Sequence, residues 1–155
     1  MTYDAENISF HDNAIHGIFL PEFVNDDASP LCFDIDHIID WKQCSDNERE
    51  LFSVSQGIIS FDNVTDLRLN IEWKSSNYTT SETGVFIVDI KKEVVKTTMR
   101  VPQYFKWEII TNSKNHIFSF GASSMSITLL GEPKLVDRQY LLANERISIS
   151  RPFPI

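Results

Sequence analysis

Glycine, cysteine and basic side chains are scarce in this chain. Its 155 residues include 5 glycines and 2 cysteines, and 14 lysines and arginines stand against 22 aspartates and glutamates. The net charge of −8 argues against nucleic-acid binding, because contact with phosphates requires a concentrated positive patch. The same charge repels anionic membrane surfaces. We therefore expect neither nucleic acid nor a membrane among the partners.

Long apolar runs and targeting patterns are missing as well. No run of apolar residues approaches the ~20 that cross a bilayer as a helix. The residues after Met1 are acidic and polar, whereas a secretory leader starts basic and continues apolar. The sequence therefore predicts a cytoplasmic location, where disulfides are rare. Cys32 lies in an apolar run and is expected to be a buried small side chain rather than half of a bridge.

The chain does contain enough apolar surface for a core. Apolar residues make up 42% of the sequence and aromatic residues 12%, which argues against disorder. The length is typical of one domain, and no repeat, low-complexity tract or flexible linker divides it. We therefore expect residues 1–155 to form a single domain.

The stretch from Leu51 to Lys74 predicts two adjoining strands and the turn between them. A β-branched and aromatic run ends at Phe61, residues 62–66 supply short polar side chains that favour a turn, and apolar and polar residues alternate after Asp66. The alternation after this turn is typical of a strand with one buried face. It places four apolar residues on that face, namely Leu67, Leu69, Ile71 and Trp73. The stretch therefore predicts a β-hairpin at the centre of the fold.

Similar patterns predict further strands and one short helix. Helix formers occupy residues 137–145, which are expected to make about two helical turns on one side of the sheet. Few glycines are available, so the turns must rely on Asn, Asp and Ser. The predicted strands cover residues 14–20, 31–41, 85–96, 104–111, 116–120 and 124–130, the last two as another hairpin through Gly121. The whole pattern is mainly β and predicts an antiparallel β-sandwich, or a strongly curved sheet or barrel.

No motif for nucleophilic, phosphoryl, dinucleotide or zinc-peptidase chemistry occurs, and no cofactor is predicted. One group of polar residues does stand out near the first two strands. Its members are His11, Asp12, His16, Asp34 and Asp36. If the two strands pair, imidazole and carboxylate groups converge, and His11, Asp12, Asp34 and Asp36 become candidate ligands for a divalent metal. The simpler alternative puts the two later aspartates on a solvated face and His11 and Asp12 in a turn.

Aromatic residues lie mostly at predicted inward positions of strands. These residues are numerous enough to line a pocket for an apolar or sugar-like ligand, but core packing explains most of them. The set consists of Phe61, Trp73, Phe105, Trp107, Phe118 and Phe120. Trp41 differs, because it lies beside Asp40 at the end of a strand, and it is the candidate aromatic residue of a pocket.

Three segments carry a resemblance to a known family. They are residues 10–18 (FHDNAIHGI), 31–41 (LCFDIDHIIDW) and 59–68 (ISFDNVTDLR) followed by Glu72 and Trp73. These segments resemble a family of small uncharacterised bacterial proteins with an FHD opening, an LDIDxIxxW segment and an FxNVTDL hairpin. More distantly, the pattern is similar to immunity proteins of polymorphic toxin systems. That resemblance implies a related fold more than a shared partner.

Two classes of function remain open from the sequence. The first is a non-enzymatic binding protein of the immunity type, which would use its acidic surface against a basic partner protein. The second is a metal- or small-ligand-dependent enzyme that uses the His/Asp cluster. Exposed sheet edges also leave a homodimer open.

Overall fold

The computed structural model describes residues 2–4, 8–24, 27–44, 49–73 and 84–150. Within these ranges the chain forms eleven strands and a single 3-10 turn at Ala143–Glu145. The strands are β1 (Thr2–Asp4), β2 (Ala14–Phe19), β3 (Phe23–Val24), β4 (Asp27–Ala28), β5 (Leu31–Cys44), β6 (Arg49–Asp62), β7 (Thr65–Asn70), β8 (Val85–Val94), β9 (Phe105–Thr111), β10 (Ile117–Ala122) and β11 (Ser124–Val136). The helix predicted over residues 137–145 is wrong, because only its last three residues form a helical turn, while residues 137–140 are bends and residues 141–142 are irregular.

Nine of these strands form one sheet in the order β1-β11-β6-β5-β2-β8-β9-β10-β7. Every pairing in it is antiparallel. The sheet folds over so that β11, β6 and β5 face β8, β9, β10 and β7 across one core. Only two residue pairs, Ala14 with Phe86 and Ile15 with Val85, join the halves between β2 and β8. The prediction of a mainly β chain, built as an antiparallel sandwich or strongly curved sheet, is confirmed.

Aromatic rings fill the space between the two halves. Phe61 lies at their centre, with its ring centroid 4.6 Å from that of Phe120 and 5.2 Å from that of Trp107. Phe33 contacts Phe61, Phe118 and Phe120 from the neighbouring strand. All five side chains are buried, which confirms the expectation that most aromatic residues belong to the core.

The hairpin predicted within residues 51–74 is wrong, although both of its strands exist. β6 pairs with β5 and β11, whereas β7 pairs with β10 at the far end of the sheet. The chain passes from one half of the sandwich to the other at Asn63, which has a left-handed φ of 54°. Alternation reports only that one face of a strand is buried, and it does not identify the neighbouring strand.

A second crossing replaces the hairpin predicted around Gly121. β10 pairs with β9 and β7, while β11 pairs with β6 and β1, so the two consecutive strands again lie in different halves. The two crossings contact each other. The backbone N–H of Ser123 donates to the carbonyl of Asp62 at 3.0 Å, and the Asn63 amide donates to the Ser123 hydroxyl at 2.8 Å. Each crossing therefore holds the other in place.

The prediction that Ile71 and Trp73, at the end of residues 51–74, point into the core is also wrong. β7 ends at Asn70, and the side chains of Ile71 and Trp73 beyond it are 43% and 57% exposed. Leu67 and Leu69, which lie inside the strand, do pack against the core. The alternation thus continues for a few residues after the strand that it marks has ended.

A glycine is required where the two crossings meet. A Cβ atom on Gly121 would lie 2.8 Å from the Thr65 hydroxyl and 2.8 Å from the ring and hydroxyl of Tyr104. Those two hydroxyls are themselves hydrogen-bonded at 2.6 Å. We expect Gly121→Ala to lower the free energy of unfolding by about 1–3 kcal/mol through this overlap. Urea denaturation checks this, with Gly17→Ala as the control, because a Cβ there meets no atom closer than 3.6 Å.

The remaining expectations concern the cysteines and the polar segments. Cys32 is buried and free, and burial raises the pKa of its thiol to about 12, so it is an inert core residue. The sequence also predicts a polar loop or a short helical turn with the capping pattern S-x-x-E at Ser45–Glu48, a Ser/Thr-rich loop over residues 75–83 and an extended or edge segment over residues 151–155. These three segments lie outside the described residues. No helix among the described residues is long and apolar enough to cross a membrane.

Candidate functional site

Pairing of β2 with β5 brings part of the predicted polar group together. Ala14 lies opposite Asp36 and Gly17 opposite Asp34, and a bulge between Ile15 and Gly17 turns His16 toward Asp36. The His16 Nε2 atom lies 2.6 Å from Oδ2 of Asp36. Asp34 and Asp36 alternate with core residues, so they point away from the core, as expected for the outer face of the sheet.

This outer face is covered rather than solvated. Residues 137–149, which we call the C-terminal strap, run across β5 and β6 after β11 ends. The Leu141 N–H donates to Oδ2 of Asp36 at 2.8 Å. Gln56 donates to the Ile147 carbonyl at 2.9 Å and accepts from the Ile147 N–H at 2.7 Å. The side chains on the face therefore supply hydrogen-bond partners to backbone groups of the strap that its own 3-10 turn leaves unpaired.

Arg146 of the C-terminal strap neutralises the two aspartates. Its guanidinium contacts Oδ1 of Asp34 through one terminal nitrogen and Oδ1 of Asp36 through the other. The three side chains are 10%, 14% and 0% exposed, respectively. Carboxylates at such depth require a charged partner, and the guanidinium of Arg146 supplies it to both. We call Asp34, Asp36, Arg146, His16 and Gln56 the strap cluster.

Sequence reasoning missed two members of the strap cluster. Arg146 lies more than a hundred positions after the aspartates, and no motif connects them. Gln56 could have been identified from the sequence, because it is the polar residue in the buried part of β6 that lies opposite Asp36. A polar residue that pairs with an aspartate across two buried strands indicates a partner above that face.

The environment of His16 keeps its imidazole neutral near pH 7. Burial lowers the pKa of His16, and the positive charge of Arg146 lowers that pKa further. A neutral ring with Nε2–H donating to Asp36 leaves Nδ1 as an acceptor. Its side chain is 33% exposed, so the ring reaches solvent. An imidazole held in this way by a carboxylate has the orientation of a general base.

His11 and Asp12 lie apart from the strap cluster. Their side chains contact each other at 3.0 Å in an exposed turn, where Asp12 has a left-handed φ of 64°. The Asp12 N–H donates to the Ile87 carbonyl, and its carboxylate accepts from Gln139 at 3.3 Å. Among the described residues, no three His, Cys, Asp or Glu side chains form a group with metal-holding geometry. The geometry is that of a turn that attaches the N-terminal segment to β8.

Another histidine, His37, is buried on β5. The Asn13 amide donates to Nδ1 of His37 at 2.9 Å, and the Asn13 carbonyl oxygen accepts from the Ile38 N–H at 3.2 Å. Because Nδ1 accepts, the proton of the neutral ring lies on Nε2. Burial lowers the pKa of His37.

These two histidines predict a loss of stability in weak acid. A pKa that is lower in the folded state than in the unfolded state stabilises the fold above the unfolded value, near pH 6.5. That contribution is lost as the pH falls through the folded pKa. We expect the free energy of unfolding to decrease from pH 7.5 to 5.5, with a smaller decrease in His37→Gln. The exposed His11→Gln is the control, and urea denaturation at each pH is the measurement.

A groove of about 770 Å³ lies beside the C-terminal strap. His16, Asp34 and Arg146 lie at its floor, and Phe86 and Tyr140 lie in its walls. A separate cavity of about 320 Å³ lies on another side of the molecule. Its aromatic lining consists of Phe10, Phe105 and Trp107. The groove is lined by two residues of the predicted polar group, His16 and Asp34, whereas the cavity is lined by His11.

Trp41, the candidate pocket aromatic, is placed elsewhere. It lies on the distal part of β5 opposite Phe52, and its side chain is 57% exposed. It lines neither the groove nor the cavity. Trp73 is the exposed tryptophan that does line the groove.

Comparison with known proteins gives no family assignment. No protein-family model, no curated protein and no solved structure matches this chain.

Proposed function

We propose that this protein is a non-catalytic binding protein of the immunity type, which uses its acidic surface to hold a basic partner protein. The observation that carries the proposal is the contact of Arg146 with Asp34 and Asp36. The carboxylates that the sequence marks as candidates for chemistry are engaged in attaching the C-terminal strap to the sheet. Their contacts are those of a structural tie.

Charge supports a basic partner. The chain carries 22 acidic residues against 14 basic ones. Such an excess accelerates association with a positively charged surface and selects against acidic partners. The distant similarity to immunity proteins points in the same direction, since those proteins bind and block a toxin encoded beside them.

Binding to the product of a neighbouring gene tests the proposal. We expect a basic protein encoded beside this chain to bind it with a Kd in the range of about 10⁻⁷ M or tighter at 50 mM salt. Because charge contributes to the encounter, the affinity should weaken severalfold at 500 mM salt. Isothermal titration calorimetry at the two salt concentrations is the measurement.

Two results would overturn the proposal. One is the lack of any measurable heat with each of the adjacent gene products. The other is binding whose affinity is unchanged between the two salt concentrations, since an acidic surface that recognises a basic partner must be screened by salt.

A further inference from the structure

Among the described residues, the floor of the groove carries more acidic than basic side chains. Two carboxylates, Asp34 and Asp36, contact the guanidinium of Arg146 there. His16 adds no charge near pH 7, because burial and Arg146 lower its pKa. Gln56 donates a hydrogen bond to Asp34 and carries no charge. Within the described part of the chain, the strap cluster therefore has one more acidic than basic group.

The walls of the same groove are apolar and open. The described residues include thirteen large apolar side chains that are classed as exposed, and four of them line this groove. Those four are Trp73, Tyr140, Leu142 and Ile147. Only Val88 of the thirteen lines the 320 Å³ cavity. Exposed apolar side chains that gather around a polar centre are typical of an interaction surface.

From these two features we infer that the groove is the docking site of the partner protein, and that it receives a lysine or arginine side chain of that partner. The inference rests on the proposed function above and names its surface. The aliphatic stem of the guest side chain would lie against Trp73 and Ile147, as long basic side chains do on apolar surface. Its charged end would lie beside Asp34 and offset the excess of acidic groups at the floor of the groove.

Each part of the groove has a separate task in this arrangement. Asp34 is the floor carboxylate with the more exposed side chain, at 14% against 0% for Asp36, so it is the carboxylate that a guest cation reaches. Trp73 presents an aromatic face, which attracts a cation that has lost part of its water. Arg146 contacts both carboxylates and fixes their positions, and thereby preforms the site.

A peptide titration of the full-length chain tests the inference. The probe is acetyl-Gly-Leu-Lys-Leu-Gly-amide, and the matched control peptide has norleucine in place of lysine. In ¹⁵N NMR spectra we expect the lysine peptide to shift the amide signals of Phe86 and Ile147 in a saturable way. The norleucine peptide, which keeps the stem and lacks the charge, should bind at least about fivefold more weakly.

Variants identify the residues that are responsible. Asp34→Asn and Trp73→Ala should each weaken binding of the lysine peptide about fivefold or more. Glu108→Gln, which removes an exposed carboxylate on the far half of the sandwich, should leave it unchanged. If Asp34→Asn does not fold, Trp73→Ala decides alone, because the Trp73 side chain is 57% exposed and its removal leaves no core cavity.

Three results would overturn the inference: equal affinity for both peptides, shifts spread over the acidic surface, or full affinity in Trp73→Ala. The proposed function fails separately. If the neighbouring gene product binds wild type and Trp73→Ala equally well, the groove assignment is wrong and the binding function stands. If that product does not bind wild type, the function itself is wrong.

Discussion

Replacing Arg146 with methionine is expected to lower the free energy of unfolding by about 3–5 kcal/mol. The substitution keeps most of the side-chain volume and removes the charge that Asp34 and Asp36 share. Two carboxylates would then remain under the C-terminal strap without a cation, and the side chain of one of them has no exposed surface. Breaking a buried ion pair on one side costs more than the pair contributes, because the abandoned charge stays desolvated. Urea denaturation at pH 7.5 measures the loss.

Arg138→Met is the matched control for this variant. Arg138 belongs to the same strap and pairs with Glu145, but its side chain is 22% exposed and that of Glu145 is 24% exposed. Water can therefore replace the missing partner, and we expect a much smaller loss of stability than in Arg146→Met. Equal effects of the two substitutions would contradict the view that the buried ion pairs of the strap cluster contribute more to stability than the exposed pair of Arg138 and Glu145.

Phe61→Ala is expected to cost about 3–5 kcal/mol of unfolding free energy, as large-to-small changes of buried aromatic residues do. The ring has no exposed surface and contacts Phe33, Trp107 and Phe120, which come from both halves of the sandwich. Its removal would leave a cavity that the neighbouring rings, which lie on three different strands, cannot all move to fill. Thermal and urea denaturation measure the effect.

The control makes the same substitution at the surface. Phe23 is 88% exposed in the short strand β3, so Phe23→Ala should change stability only slightly. A loss below about 1 kcal/mol in Phe61→Ala would contradict the central place of this ring in the core.

The sequence predicts those features of the fold that depend on local pattern. Alternation located β2, β5, β7 and β9 within a few residues, because a half-buried strand must alternate whatever its neighbours are. The scarcity of glycine correctly indicates Asn and Asp as turn residues. Asp12 and Asn63, which lie between strands, adopt positive φ values, and so does Asp66 near the start of β7. Short polar side chains tolerate that conformation better than others do.

Features that depend on distant partners were not predictable in the same way. Neither crossing between the halves could be distinguished from a hairpin, because Asn63 and Ser123 look like ordinary turn residues until they contact each other. The helix expected over residues 137–145 did not form, since the tertiary hydrogen bonds of Leu141 to Asp36 and of Ile147, just beyond this segment, to Gln56 outweigh local helix propensity.

The same difference between local pattern and distant partners decides which residues of the candidate site the sequence predicts. Pairing of two neighbouring strands brought His16 to Asp36, and the residues of both strands were evident from the sequence. Arg146 was not evident, because its role depends on how residues 137–149 return over the sheet. His11 belongs to the turn that the simpler alternative described.

Hydrogen exchange measures most directly whether the strap cluster attaches residues 137–149 to the outer face of the sheet. In Arg146→Met, under conditions where the protein stays folded, the amides of Leu141 and Ile147 should exchange much faster than in wild type, while the core amides of β5 stay protected. Unchanged protection at Leu141 and Ile147 would contradict the account, because the strap would then be held by something other than its charges.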